Sequence, residues 1–171
     1  VDLERLEVGG SLIEVKQEKG EWKLVPNSPY NRRLDSYTEI PFAWDEPIKG
    51  SKTAIGTLAG CAGGKTPWGT ILSCEENYDM FWGDRDRKGN TTEAWLGWDK
   101  FYSMPPEHYG WVVEVEPLTG KAKKLISLGR FAHECAAVTR AKNGKIVAYS
   151  GDDTIGEHLY KFVSDSNDSL E

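Results

Sequence analysis

Runs of β-branched and aromatic residues, paired across glycine turns, recur along this sequence, and a chain built that way is committed to antiparallel sheet. Ser11-Leu12-Ile13-Glu14-Val15 is expected to meet Glu21-Trp22-Lys23-Leu24-Val25 across a turn ending at Gly20. Gly110-Trp111-Val112-Val113-Glu114-Val115 is expected to meet Ala122 to Leu128 across Pro117-Leu118-Thr119-Gly120. Ala136 to Arg140 is expected to meet Lys145 to Tyr149 across Asn143-Gly144. The strands Thr70 to Cys74 and His158 to Val163 complete the set. With 18 Gly, 8 Pro, 7 Trp and 7 Tyr, composition also favours turns and pleated surfaces over helices, so an all-β domain is predicted.

An internal echo adds detail. Gly10, Glu14, Val15 and Gly20 recur as Gly110, Glu114, Val115 and Gly120, an offset of 100 residues, as repeated hairpins would give. Propeller blades run ~40–50 residues, which places the two hairpins two blades apart with Thr66 to Asn77 in the middle unit. On that reading residues 1–171 are one partial β-propeller domain of roughly three to four blades, drawn from a larger propeller. An open meander or sandwich is the alternative. Tyr78 to Pro106, rich in Trp, Asp and Gly, has little periodicity and reads as a long excursion between strands.

Charge excludes some functions. Lys and Arg number 21 against 27 Asp and Glu, and a formal charge of -6 opposes the attraction to phosphate backbones on which nucleic-acid binders depend. No stretch approaches the ~20 apolar residues of a membrane span, and no secretory leader is visible. The first residue is Val1 rather than Met, which reads as a trimmed or excised segment. Gly63-Gly64-Lys65-Thr66 is not a nucleotide phosphate loop, because that pattern needs glycine where Ala59 stands and a helix that Pro67 and Gly69 oppose.

Acids gather at strand ends instead: Glu75-Glu76, His133-Glu134, Asp152-Asp153 and Glu157. Stacked strands would bring such ends to one face, forming a carboxylate site for hard cations; isolated acids beside turns are otherwise simply solvated. Glu134 stands among Phe131, Ala132, Cys135, Ala136 and Ala137, where a carboxylate wants a metal or a cationic partner. Cys61, Cys74 and Cys135 are an odd number without a C-x-x-C pair. Cys61 lies in the small-residue stretch Gly60-Cys61-Ala62-Gly63-Gly64, expected to be a loop that leaves the thiol open to a transition metal, or else a small buried thiol. Cys74 and Cys135 are expected to pack.

Read together, these segments resemble the PhoX-type alkaline phosphatases, secreted or periplasmic bacterial enzymes unrelated to the zinc and magnesium phosphatase of the same name. The likeness runs through Ser28-Pro29-Tyr30-Asn31-Arg32-Arg33, Gly56-Thr57-Leu58 leading to Cys61-Ala62, and Thr66-Pro67-Trp68-Gly69-Thr70. It continues in Cys74-Glu75-Glu76-Asn77, the Tyr109 to Val115 hairpin, Gly129-Arg130-Phe131 with His133-Glu134, and Gly151-Asp152-Asp153 ahead of Leu159 to Val163. The passage from Thr66 to Asn77 is the most specific. The family usually has asparagine before the cysteine, where this chain has Gly60.

The resemblance implies a larger, six-bladed propeller whose central face holds iron (Fe3+) and calcium (Ca2+) ions and hydrolyses phosphate monoesters. By motif it implies Cys61 as an iron ligand and Glu134 as a cluster carboxylate, both placed in the catalytic centre. Glu76, with Glu75 competing, and Asp152, Asp153 and Glu157 are the further expected metal ligands. It also implies that this chain is a piece of a longer protein, with other ligands and a phosphate-contacting arginine beyond Glu171. The piece alone is then expected to be inactive and to associate through open sheet edges or with the rest of its chain. The competing function is a non-catalytic, calcium-stabilised propeller that serves as a binding module.

Overall fold

Antiparallel pairing dominates the computed structural model, which describes residues 1–171. Thirteen short strands form five sheets, and α-helix is confined to α1 (Asp2–Glu7) and α2 (Asp79–Trp82), so the protein is mostly β, as predicted. The sheets are small and do not close on one another.

Two sheets position the site. In the first, β7 (Gly60–Lys65), β8 (Ile71–Glu75), β9 (Val112–Val115) and β10 (Ala122–Leu125) lie in the order β10-β9-β8-β7. In the second, β11 (Ala137–Arg140), β12 (Ile146–Gly151) and β13 (Leu159–Val163) lie side by side in chain order. Strand β7 runs against β11, so close that a Cβ on Gly64 would stand 2.1 Å from the carbonyl oxygen of Ala136. Between the sheets lies one apolar core of Leu72, Cys74, Val112, Leu125, Ala136, Ile146, Ala148 and Leu170. Burying its leucine, isoleucine and valine side chains stabilises by about 1.5–3 kcal/mol each, which holds the two sheets together.

The β9–β10 and β11–β12 hairpins occur where turn chemistry placed them, with Val112 opposite Leu125 and Ala137 opposite Tyr149. The first hairpin needs correction. β2 (Val15–Glu18) does pair with β3 (Glu21–Leu24) around Lys19 and Gly20, both at positive φ. Its expected leading residues instead form β1 (Gly10–Leu12), which pairs with β4 (Arg32–Leu34). The small-residue stretch around Cys61 is corrected too: it is strand β7, not a loop. Glycine is required there because a Cβ on Gly63 would sit 1.7 Å from the Leu72 carbonyl oxygen.

Between β8 and β9 the chain leaves the sheets. Tyr78, Phe81, Trp82, Trp98 and Tyr109 close round Leu58 into a second core, and α1 covers it through the Trp98 indole N–H, which donates to Glu4 at 2.9 Å. Arg5 of α1 is buried between the rings of Tyr37 and Tyr102, 4.0 and 4.5 Å from their centroids. The remaining pair, β5 (Glu39–Pro41) and β6 (Thr53–Ile55), continues to β10 through a bridge between Phe42 and Lys124.

Candidate metal centre

Strand polarity and three backbone hydrogen bonds decide which acids meet. Glu76 follows β8, and its amide donates to the carbonyl of Ala59, just ahead of Cys61 on β7 (3.1 Å). The amide of His133 donates to the carbonyl of Glu75 (3.0 Å), which brings Glu134 to the same end of the sheet. The amide of Asp153, just past β12, donates to the carbonyl of Ala132 (3.1 Å). Segments from both sheets are thus stitched into one rim, where carboxylate oxygens of Glu76, Glu134 and Asp153 lie within 4.8 Å of one another.

Cys61 belongs to this rim. Its side chain is exposed and lies within hydrogen-bonding reach of the Glu76 carboxylate. The amide of Ala62 helps hold a thiolate, but Glu76, partial burial and the charge of Glu134 outweigh it, and the thiol sits above its ordinary value. Glu76 is half-buried. Burial raises its carboxyl first, the Cys61 thiol works against that, and Asp153 and Glu134 add to the rise by crowding like charges. Three carboxylates and a thiol converging on one rim, with no lysine or arginine paired to any of the three acids, form a donor set that fits cations.

The remaining expected ligands lie elsewhere. Glu75 is wholly buried and turns inward. Its Oε1 accepts from Lys124 Nζ at 2.7 Å and from the Leu58 amide at 3.1 Å, while Oε2 accepts from the amides of Gly110 and Trp111 at 3.0 and 3.2 Å. Asp152 accepts the amide of Thr154 at 3.0 Å and caps its own turn. Glu157 is exposed, 3.6 Å from the neighbouring His158. Glu134 itself is exposed despite its apolar sequence neighbours, because Phe131 and Ala136 turn the other way, against His133 and into the core. Cys74 packs in the inter-sheet core, where burial, then Cys135, Cys61 and Glu75, push its thiol up to about 12.

Lys124 had no distinguishing mark in sequence. It follows Lys123, and only alternation along β10 sends one ammonium outward to Glu114 and Glu171 and the other wholly inward. His133 was likewise read only as a neighbour of Glu134. It is buried under the Phe131 ring, Nδ1 lies 2.7 Å from the Ser150 hydroxyl, and burial lowers it to about 4, so it is neutral at physiological pH.

The sequence profile of the family described as Alkaline phosphatase PhoX matches residues 1–170. Among solved structures, Pseudomonas fluorescens PhoX in complex with vanadate, a transition state analogue, superposes with a TM-score of 0.79 at 33% sequence identity. The match covers 94% of this chain and 33% of that one, so the chain spans about a third of its solved relative's length. No curated protein sequence gives a significant match. No helix is long and apolar enough to cross a membrane. A profile match over nearly every residue, together with a third of the residues shared with a solved relative, places this chain in the PhoX alkaline phosphatase family.

Proposed function

We propose that this chain supplies part of a metal-dependent centre that hydrolyses phosphate monoesters. The observation that carries the proposal is the meeting of Glu76, Glu134 and Asp153 within 4.8 Å, with the Cys61 thiol beside Glu76, in a chain of this family. Hard carboxylate oxygens suit calcium, and a thiolate adds affinity for iron, so Cys61 is read as the iron ligand, Glu134 as a cluster carboxylate, and Glu76 with Asp153 as calcium or cluster ligands. Such ions, when bound, supply positive charge against the phosphate oxygens. The chain's own part is to hold the donors convergent, and to fix their spacing through the backbone bonds of Ala59, Glu75 and Ala132. Glu76 takes precedence over Glu75 because all the nearer donors to Glu75 already lie inside the protein. Asp152 and Glu157 are left as flanking acids.

The same proposal takes residues 1–171 as one partial domain, roughly three to four blades of a propeller, with residues 78–106 as its excursion. The close run of β7 against β11 supports it, since adjacent inner strands of neighbouring blades meet in this way. It also gives a periplasmic or secreted enzyme whose substrate is a phosphate monoester, with the remaining ligands supplied from outside these residues, and little turnover by the 171 residues alone. The alternative, a calcium-stabilised binding module, draws on the exposure of Glu134 and Asp153. Metal analysis and a phosphomonoester assay on the full-length protein separate the two. Iron with calcium and turnover supports the phosphatase; calcium alone without turnover supports the module.

A further inference from the structure

Glu75 sits immediately before a proposed ligand yet points away from it, and the structure surrounds it with partners that include the segments carrying Cys61 and Glu134. Its Oε1 holds the amide of Leu58, whose chain runs on through Ala59 to Cys61. Its carbonyl holds the amide of His133, next to Glu134. Its own amide donates to the Trp111 carbonyl, and its Oε2 holds the amides of Gly110 and Trp111. The remaining donor is Lys124, as fully buried as Glu75, with a second bond to the His108 carbonyl at 2.9 Å and the Tyr109 ring 4.5 Å away.

From this we infer that Glu75 and Lys124 form a positioning pair that sets the spacing of Cys61, Glu76 and Glu134. Neither touches the site: the pair acts through backbone segments that it locks together. A carboxylate is needed because both oxygens must accept, from groups on opposite sides, and a lysine is needed because a buried carboxylate requires a counter-charge. Groups that orient ligands from behind typically change metal affinity 10–100-fold when altered. The inference rests on the metal-site reading above and concerns residues outside its ligand set.

The test uses metal-depleted full-length protein, calorimetric titration with Ca2+ alone, and thermal melting. Glu75→Gln is expected to weaken Ca2+ binding at least tenfold and to lower the melting temperature, because it leaves the Lys124 ammonium buried without its counter-charge. In the double variant Glu75→Gln with Lys124→Met no unpaired charge is buried, so melting returns toward wild type. A glutamine still offers only one accepting oxygen, so Leu58 or the Gly110 and Trp111 amides are lost and Ca2+ binding stays weak. This separation of stability from affinity is what a merely structural pair would not produce. Affinity recovering together with stability, or unchanged in Glu75→Gln, overturns the inference. If Glu75→Gln does not fold, the double variant decides alone, by weak or by wild-type binding. Absence of Ca2+ binding in the wild type overturns the site reading itself, and the positioning role with it.

Discussion

Glu76 follows a strand of one sheet and Asp153 a strand of the other, yet their carboxylate oxygens approach within 4.8 Å, and the charge of Asp153 adds to burial in making Glu76 harder to ionise. Two like charges at that separation persist only with solvent or a cation between them. Binding energy of a cation at this rim is therefore energy of the junction between the sheets.

Chelation follows from that. Stripping metal from the full-length protein is expected to lower its melting temperature, and adding Ca2+ back to restore it. In the metal-free protein the contribution of Glu76, read as the difference in stability from Glu76→Gln, should shrink as pH rises. Glu76 binds its proton more tightly folded than unfolded, so its contribution is complete below the unfolded value of 4.5 and disappears as pH passes the higher folded value. Melting curves between pH 4 and 8, with and without Ca2+, check both; a melting temperature indifferent to chelator reduces these acids to solvated turn residues.

The thiols should differ in the same way. Cys61 is exposed beside Glu76, whereas Cys74 is sealed in the core with its thiol held up to about 12. Cys61→Ser should lower the iron content of the full-length protein far more than Cys74→Ser. The latter should instead act on stability by about 1 kcal/mol, as a polar group replacing a packed thiol does. Elemental analysis of both variants gives the answer, and equal iron loss removes the reason for singling out Cys61.

How much of this could be read in advance depended on sequence distance. The β9–β10 and β11–β12 hairpins were legible because strand, turn and strand are consecutive, and Gly120 and Gly144 take the positive φ their turns need. The partner of β1 was not, since β4 lies beyond an intervening hairpin. The acids were visible, but neighbouring positions at a strand end face opposite ways, and nothing local tells Glu75 from Glu76. That choice is made by Lys124, far along the chain, whose own inward turn is equally silent in sequence. Strand β7 was misread because Gly and Ala are poor strand formers. Their presence records close backbone approach, a tertiary fact.

A separate pH response should come from Glu107, just past the excursion. Glu107 accepts from Arg85 at 2.9 Å and pairs with Lys49 at 3.0 Å. Burial pushes its carboxyl up, but Arg85, its own amide and Lys49 prevail and hold it down to about 2. A depressed carboxyl stabilises above its unfolded value and loses that contribution as pH falls, here from 4.5 to about 2. Acid unfolding of Glu107→Gln should lack the component that wild type shows in this window, with the two curves parallel above pH 5.

Gly64 offers the most local test of the junction. A Cβ there would meet the Ala136 carbonyl oxygen at 2.1 Å, and backbone on backbone cannot yield without moving β7 from β11. That movement separates Cys61 from Glu134, since each lies on the strand or rim that would shift. Gly64→Ala is expected to cost about 1–3 kcal/mol, in the range of overpacked sites, and to weaken Ca2+ binding by the full-length protein. Gly60→Ala is milder, because its Cβ meets only the Ser73 hydroxyl at 3.0 Å, a side-chain atom that can rotate away. Gly151→Ala, with no atom within 4 Å, is the control and should leave melting and binding unchanged. Melting and titration of the three variants should rank them in that order; a Gly64→Ala protein that binds Ca2+ as wild type does would show that the two sheets do not set the spacing of the site.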